Sequence, residues 1–375
     1  MRVCIVTYAA NPFGQKTGGS ERQSSSLARA LAARGHDVTY IAVGWPGEDL
    51  VIDGVKVRPA WNPHGGIRYV RAVTHRYPRL LRVLRSERAD VFYARGAGYY
   101  TPFVMRAARD VGARSLLALA SDRDLYPAAG KILFNVGSPR LSAVIGPVAH
   151  AAFRRWGLRA ADCVVVQNQE QAEACQALGL RHALLPSIVA TPPDELVSRP
   201  RTRDVVWSGN VFEERRSKGL EHLVTLAKLL PRVTFTCLGK FAGASIRPVL
   251  DELSALPNVA LDGLLEHPDA LSRVADHRLV VNTSPSEGFS NVMLEGWSLG
   301  IPAVTLAVNP SGLLNGDRLG ICARGDLLAM AAGVSALLAE KRALTAMGAR
   351  ARSYVLATHA VDQVCDAFER LASAE

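Results

Sequence analysis

No stretch of this 375-residue chain reaches the ~18 apolar residues that a membrane-spanning helix requires. The opening "MRVCIVTYAANPFG" holds one short apolar run and then turns polar, so it is not expected to act as a signal peptide. Cysteine is scarce. The six residues Cys4, Cys163, Cys175, Cys237, Cys322 and Cys365 form no C-x-x-C pair and have no histidine at metal-ligand spacing. That argues against a disulfide framework or a thiolate metal centre, and for small buried residues in a reducing cytoplasm. The common nucleotide loops are missing too. "GQKTGGSER" has Gln15 where a P-loop needs glycine before Lys16, and G-x-G-x-x-G does not occur there. No helix-turn-helix, RNP-like or zinc-finger pattern accompanies the basic residues, so nucleic acid is not an expected partner.

What is present is a strand and helix alternation. Apolar runs at "RVCIVT", "HDVTYIAV", "ADVFYA", "RSLLALA" and "ADCVVVQ" are separated by helical lengths such as "ERQSSSLARALAARG". After the proline-rich piece around 188–203 the pattern restarts with "DVVWSG", "RVTFTCLG", "NVALDG", "HRLVVNTS" and "IPAVTLAV". Strands that are apolar throughout belong to parallel sheets covered on both faces. The expected fold is therefore α/β, with two Rossmann-like domains facing each other across a cleft. Their expected extents are 1–190 and 191–357, with a C-terminal helix at about 358–375 packing back on the first. A hydrophobic share of 49% is enough to fill two such cores.

Charge divides unequally between the halves. Residues 1–190 carry 25 Lys+Arg against 13 Asp+Glu, whereas 191–375 carry 19 against 21. The densest basic segment is "IRYVRAVTHRYPRLLRVLRSERAD". There Arg76, Arg79, Arg82 and Arg85 recur every third residue along one helix flank. Such a flank suits either plain solvation or contact with an anionic membrane surface, where each cation contributes about 1 kcal/mol.

In open parallel sheets, chemistry gathers in the loops beyond the strands' carboxyl ends. The first such loop offers Gly18 and Gly19, whose bare backbone can approach an anion closely. In the second half, "SGNVFEERRSKGLEHL" sets Gly209, Arg215, Arg216 and Lys218 ahead of a helix. Cations there oppose the helix dipole unless an anion such as phosphate joins them. Most informative is "SPSEGFSNVMLEGWSLGIP". A helix is expected from the N-cap Ser290 to Gly300, with Glu287 at its mouth and Glu295 inside it, on the order of 10 Å away. The N–H groups of Gly288, Phe289, Ser290 and Asn291 lie between. Acid, anion site, acid is the negative image of a nucleotide-diphosphate sugar: hexose at Glu287, diphosphate at the helix mouth, ribose at Glu295.

This stretch, quoted on to "AV", resembles the E-x7-E signature of the family-four retaining glycosyltransferases of GT-B fold. "TGGSERQSSSLARALAARGHDVTYIAV", "ADCVVVQNQEQAEACQALG" and "SKGLEHLVTLAKLLP" are similar to that family's first loop and helix, last N-domain strand, and Lys-Gly helix. The resemblance implies that Glu287 contacts the transferred sugar, Glu295 the ribose and Lys218 the diphosphate, with no metal and no other cofactor. It implies a hexosyl transfer to a glycan or lipid-linked acceptor of envelope polysaccharide or glycolipid synthesis, by a cytoplasmic enzyme peripheral to the membrane.

Two positions depart from the family. Asn210 follows Gly209 where an arginine is usual, leaving Arg215 or Arg216 as substitutes. After the fourth N-domain strand "LALASDRDLYP" has no histidine. Its Arg123-Asp124 is similar to a motif of members that build lipid-linked glycans, and with Ser121 it is a candidate for the diphosphate or acceptor. Two alternatives stand beside transfer: a nucleotide-sugar-binding protein without activity that docks on membranes, and a sugar-nucleotide 2-epimerase sharing the two-domain frame.

Overall fold

The computed structural model describes the whole chain except residues 9–11, 15–18, 63–64, 68–71, 126–139, 213–217, 317 and 375, and the side chains of 73 and 140–149. It divides into two compact units, residues 1–188 with 361–375, and residues 189–360.

The first unit is built on eight strands: β1 (Arg2–Tyr8), β2 (Asp37–Val43), β3 (Leu50–Ile52), β4 (Val55–Pro59), β5 (Val91–Arg95), β6 (Arg114–Ala118), β7 (Cys163–Val166) and β8 (His182–Leu184). They lie in the order β3-β4-β2-β1-β5-β6-β7-β8, parallel apart from the β3–β4 pair. Its helices are α1 (Gly19–Ala33), α2 (Tyr77–Glu87), α3 (Thr101–Asp110), α4 (Arg140–Ala160) and α5 (Gln169–Ala177). The two-residue period of β1 serves both helical layers. Cys4 and Val6 pack with Leu80, Leu84, Val104, Met105 and Leu158 of α2, α3 and α4. Val3 and Ile5 pack on the other side with Leu27 and Leu31 of α1.

The β3–β4 hairpin has no place in the strand pattern above. Its turn is Asp53-Gly54, with φ of +51° and +78°. Asp-Gly with both φ positive is the type I′ turn that the twist of a tight hairpin favours. The signal is therefore in the sequence.

Arg79, Arg82 and Arg85 lie exposed along α2, opposite the buried Leu80 and Leu84. Arg76 is not on that helix. It ends a preceding π-helical turn, Ala72–Arg76, and its guanidinium stands 5.9 Å from the Trp61 ring centre. Arg85 pairs with Asp110, which also takes Arg106 at 2.8 Å. The expected four-arginine stripe is thus broken at both ends, because internal partners lie within reach of its terminal members.

The second unit begins with the short α6 (Asp194–Ser198) and β9 (Arg203–Ser208), β10 (Val211–Phe212), β11 (Phe235–Leu238), β12 (Phe241–Ala242) and β13 (Val259–Gly263). β14 (His277–Asn282), β15 (Ala303–Thr305) and β16 (Gly320–Cys322) follow. Its main sheet is wholly parallel, ordered β13-β11-β9-β14-β15-β16, while β10 and β12 pair apart from it. The helices are α7 (Leu220–Leu229), α8 (Arg247–Ser254), α9 (His267–Ala275), α10 (Asn291–Ser298), α11 (Leu327–Ala339) and α12 (Lys341–Thr358). The strand order reverses between β9 and β14, so their following loops flank the crevice where such sheets take ligands.

At Val361 the chain re-enters the first unit. There α13 (Val361–Ser373) lays Val364, Cys365 and Phe368 against the layer of α1. Arg34 and His36 hold it by Glu369 at 3.2 and 2.9 Å. All six cysteines are buried free thiols, and among the described residues no helix is long and apolar enough to cross a membrane.

His277, at the start of β14, is fully buried. Its Nδ1 lies 2.8 Å from the Arg273 carbonyl, which can only accept, so Nδ1 carries the proton and Nε2 accepts from the Thr236 hydroxyl at 2.7 Å. Burial pushes the imidazole pKa below its ordinary value. The unfolded chain therefore binds a proton below about pH 6.5 that the folded chain resists, and stability falls as pH drops from there. The slope from this group is at most ~1.4 kcal/mol per pH unit. Urea unfolding of wild type between pH 6.5 and 5 is expected to show that decline, and His277→Gln to flatten it. Parallel slopes would assign the decline to other groups.

Candidate functional site

The site grows from the ends of β9 and β14. Asn282 closes β14 and turns the chain by accepting the Ser284 N–H on its side-chain oxygen at 2.8 Å. Its amide nitrogen, 3.2 Å away, and the Ser284 hydroxyl both donate to Glu287 Oε1. Lys218 Nζ reaches the same oxygen at 2.7 Å, with the Lys218 and Glu287 side chains only 29% and 15% exposed. One carboxylate oxygen therefore gathers three donors, one of them cationic, which fixes its position and charge.

The two loops are laced together beneath this pair. The Trp207 indole N–H donates to Thr283 Oγ1 at 2.9 Å, and that hydroxyl donates to the Lys218 carbonyl at 3.0 Å. Gly219 follows with φ of +64°, its Cα so close to Thr283 that an added Cβ would stand 2.0 Å from the Thr283 carbonyl oxygen. Only glycine meets both conditions. Gly209 donates its N–H to the Leu238 carbonyl at 2.9 Å. Asn210, where the resemblance expects an arginine, accepts the Lys240 N–H at 2.9 Å and so ties the β10 turn to β12.

The helix observed is α10, Asn291–Ser298, preceded by Gly288, Phe289 and Ser290. Ser290 stands at the N-cap with extended backbone, but its hydroxyl makes no cap; only its carbonyl enters the helix ladder, accepting from Leu294. Gly288 and Asn291 have interactions of their own. The Phe289 side chain belongs to the core, edge-on to Trp297 and His359. Glu295 is 15% exposed and meets His267 Nε2, from the first residue of α9, at 3.0 Å.

The structure thus brings Lys218 and Glu287 together and gives Glu295 a partner that sequence reasoning missed. Arg215, Arg216 and Gly18 lie outside the described residues. Gly19 opens α1. In the first unit, Ser121 and Asp124 form a capping box around a single helical turn. The Asp124 carboxylate accepts N–H groups from Ala120 and Ser121, although burial pushes its pKa above the usual carboxylate range. Arg123 is exposed, and its carbonyl accepts from Arg154 at 3.0 Å. This turn is therefore held by its own backbone bonds. Asn282, Thr283, Ser284 and His267 were not singled out by sequence. The first three follow a buried strand within "NTSPSE", a cluster of turn formers, whereas nothing local marks His267.

Two family models match the chain. "Glycosyl transferase 4-like domain" spans residues 18–186 and "Glycosyl transferases group 1" spans residues 202–340. A glycogen synthase of Mycobacterium tuberculosis is 25% identical, over 92% of this chain and 87% of that protein. Sucrose-phosphate synthase from Thermosynechococcus elongatus superposes with a TM-score of 0.75 at 16% identity, covering 99% of this chain and 98% of that one. S. aureus TarM, solved with fondaparinux, α-GlcNAc-glycerol and UDP, gives 0.62 at 15% identity, over 80% of this chain and 59% of that one.

Proposed function

The chain belongs to the glycosyltransferases of family-four type and GT-B fold, and on that footing we propose that it is a retaining hexosyltransferase using a nucleotide-diphosphate sugar. The observation that carries the reading is the Lys218–Glu287 pair at the reversal of strand order, with Glu295 further along α10. Glu287 faces the hexose and opposes the positive charge that develops as the anomeric carbon parts from the diphosphate. Lys218, with the mouth of α10, takes the negative charge left on that diphosphate. Glu295 accepts from the ribose diol. The acceptor hydroxyl attacks on the face the diphosphate leaves and gives its proton to the departing phosphate oxygen, so no protein base is required. The UDP bound in TarM supports a nucleotide donor. The acceptor, held by the first unit, is a glycan or a lipid-linked glycan of envelope synthesis.

A thermal-shift panel of UDP-, GDP-, ADP- and TDP-sugars tests this, since a ligand at 100 times its Kd adds about 2.7 kcal/mol. If no member stabilises the chain, the reading fails. A stabilising donor that no acceptor consumes points instead to binding without transfer, the reading that Asn210 in the arginine's place favours. Conversion of the sugar without acceptor identifies an epimerase.

Glu295→Ala is expected to raise the donor Kd by the ~1.5–3 kcal/mol of a charged hydrogen bond, measured by calorimetry. An unchanged Kd with lowered thermal stability would make Glu295 only a tie between α9 and α10 through His267. With Lys218 and the helix mouth neutralising the phosphates, activity should survive EDTA. Loss on chelation and recovery with Mg²⁺ or Mn²⁺ would assign that neutralisation to a metal.

A further inference from the structure

Outside the site, the outer surface of the α2–α3–α4 layer is unusual for its aromatic content. The Tyr77 and Phe103 rings stack with centres 4.3 Å apart and planes 15° from parallel. Phe153 lies 5.9 Å from Phe103, and Trp156 lies 6.3 and 6.2 Å from Phe103 and Phe153. Tyr77, Phe103 and Phe153 are half-buried, but Trp156 is 51% exposed. A tryptophan standing out from a chain of packed rings is an apolar surface with no cover of its own.

The surroundings say what covers it. Arg155 and Arg159 are exposed beside Trp156 on α4, and Arg79 and Arg82 are exposed on α2. The sequence of α4 contains no acid. On α3, Asp110 is already paired with Arg85 and Arg106, and on α2 Glu87 is turned to Arg58. The face is therefore aromatic at its centre, cationic at its rim, and without an unpaired carboxylate among the described residues of the three helices. Amphipathic rings settle at the headgroup level of a bilayer, and arginine stems lie along apolar surface while their heads meet anionic lipid. An acidic protein partner would answer the arginines, but not a protruding indole ringed by them.

We propose that this face docks on an anionic lipid bilayer, with Trp156 entering the headgroup region and Arg79, Arg82, Arg155 and Arg159 holding the surface. It displaces the expected stripe: Arg76 and Arg85 have internal partners, and the contact centres on α3 and α4 as much as on α2.

The test uses the full chain and vesicles of phosphatidylcholine, with and without an equal part of phosphatidylglycerol. Co-sedimentation should require the anionic lipid and be lost in half-molar salt, where charges are screened over a few ångströms. Trp156→Ala should weaken binding roughly fivefold, the equivalent of about 40 Å² of apolar surface. Changing Arg79, Arg82, Arg155 and Arg159 together to Gln should abolish it. Brominated lipid should quench the wild-type tryptophan emission but not that of Trp156→Phe. Circular dichroism of each variant, unchanged at these exposed positions, guards against misfolding. Equal pelleting of wild type and both variants overturns the proposal. So does salt-sensitive binding without quenching, which would make the face a platform for a soluble polyanion or an acidic protein. No sugar donor enters the assay, so the docking surface and the transfer reaction stand or fall separately.

Discussion

Glu287→Gln should lower kcat by about two to three orders of magnitude, the usual cost of removing one preorganised charge from a transition state. Donor affinity should hold or tighten. Binding is spared because Glu287 and the diphosphate compete for Lys218, which in the unliganded protein rests on Glu287 Oε1 at 2.7 Å. Removing the carboxylate charge frees the lysine for phosphate. The same loss strips the anomeric carbon of its countercharge when that carbon becomes most positive, so the effect falls on turnover. Initial rates with saturating donor, alongside donor Kd by calorimetry, separate the two. A loss carried wholly by KM, with kcat intact, would reduce Glu287 to a ground-state contact. Glutamine is preferred to alanine because it can still accept from Asn282 and Ser284, which hold the loop.

How much of this could be read from the sequence depends on the range of each signal. The buried parallel strands are legible because β1 and β14 are apolar over their whole central length, and burial on both faces leaves no other pattern. The helix after Glu287 is legible because a turn-rich loop precedes an apolar run ended by Gly300-Ile301-Pro302. The Ser290 cap was expected from residue type, and only geometry shows that its hydroxyl is turned away. The His267–Glu295 pair joins residues 28 positions apart, on two helices brought together by β14, and no local periodicity encodes that. The same holds for the aromatic cluster, whose members come from three helices between positions 77 and 156. The arginine stripe misled for a related reason. Threefold spacing describes a helix flank, but Arg76 stands in a π-helical turn before the helix and Asp110 approaches Arg85 from the next one.

Gly219→Ala should cost about 3 kcal/mol or more of stability, with loss of donor binding. Two terms add. A left-handed backbone at φ of +64° costs an alanine about 1 kcal/mol. The second is contact, since the new Cβ would stand 2.0 Å from the Thr283 carbonyl oxygen and 2.8 Å from its carbon. Both are backbone atoms of the loop leading to Glu287, so no side chain can swing aside. Either α7 or the β14–α10 loop must shift, and either movement parts Lys218 from Glu287 and breaks the Thr283 bond to the Lys218 carbonyl. Gly263 supplies the control in the same unit. Its φ is +72°, but nothing lies within 4 Å of the Cβ position. Gly263→Ala should therefore show the conformational term alone, about 1 kcal/mol. Urea unfolding of the two variants isolates the contact as the difference between them. Equal losses would mean that the Thr283 loop yields freely, and Lys218 would then need a firmer anchor than Gly219 to face a diphosphate.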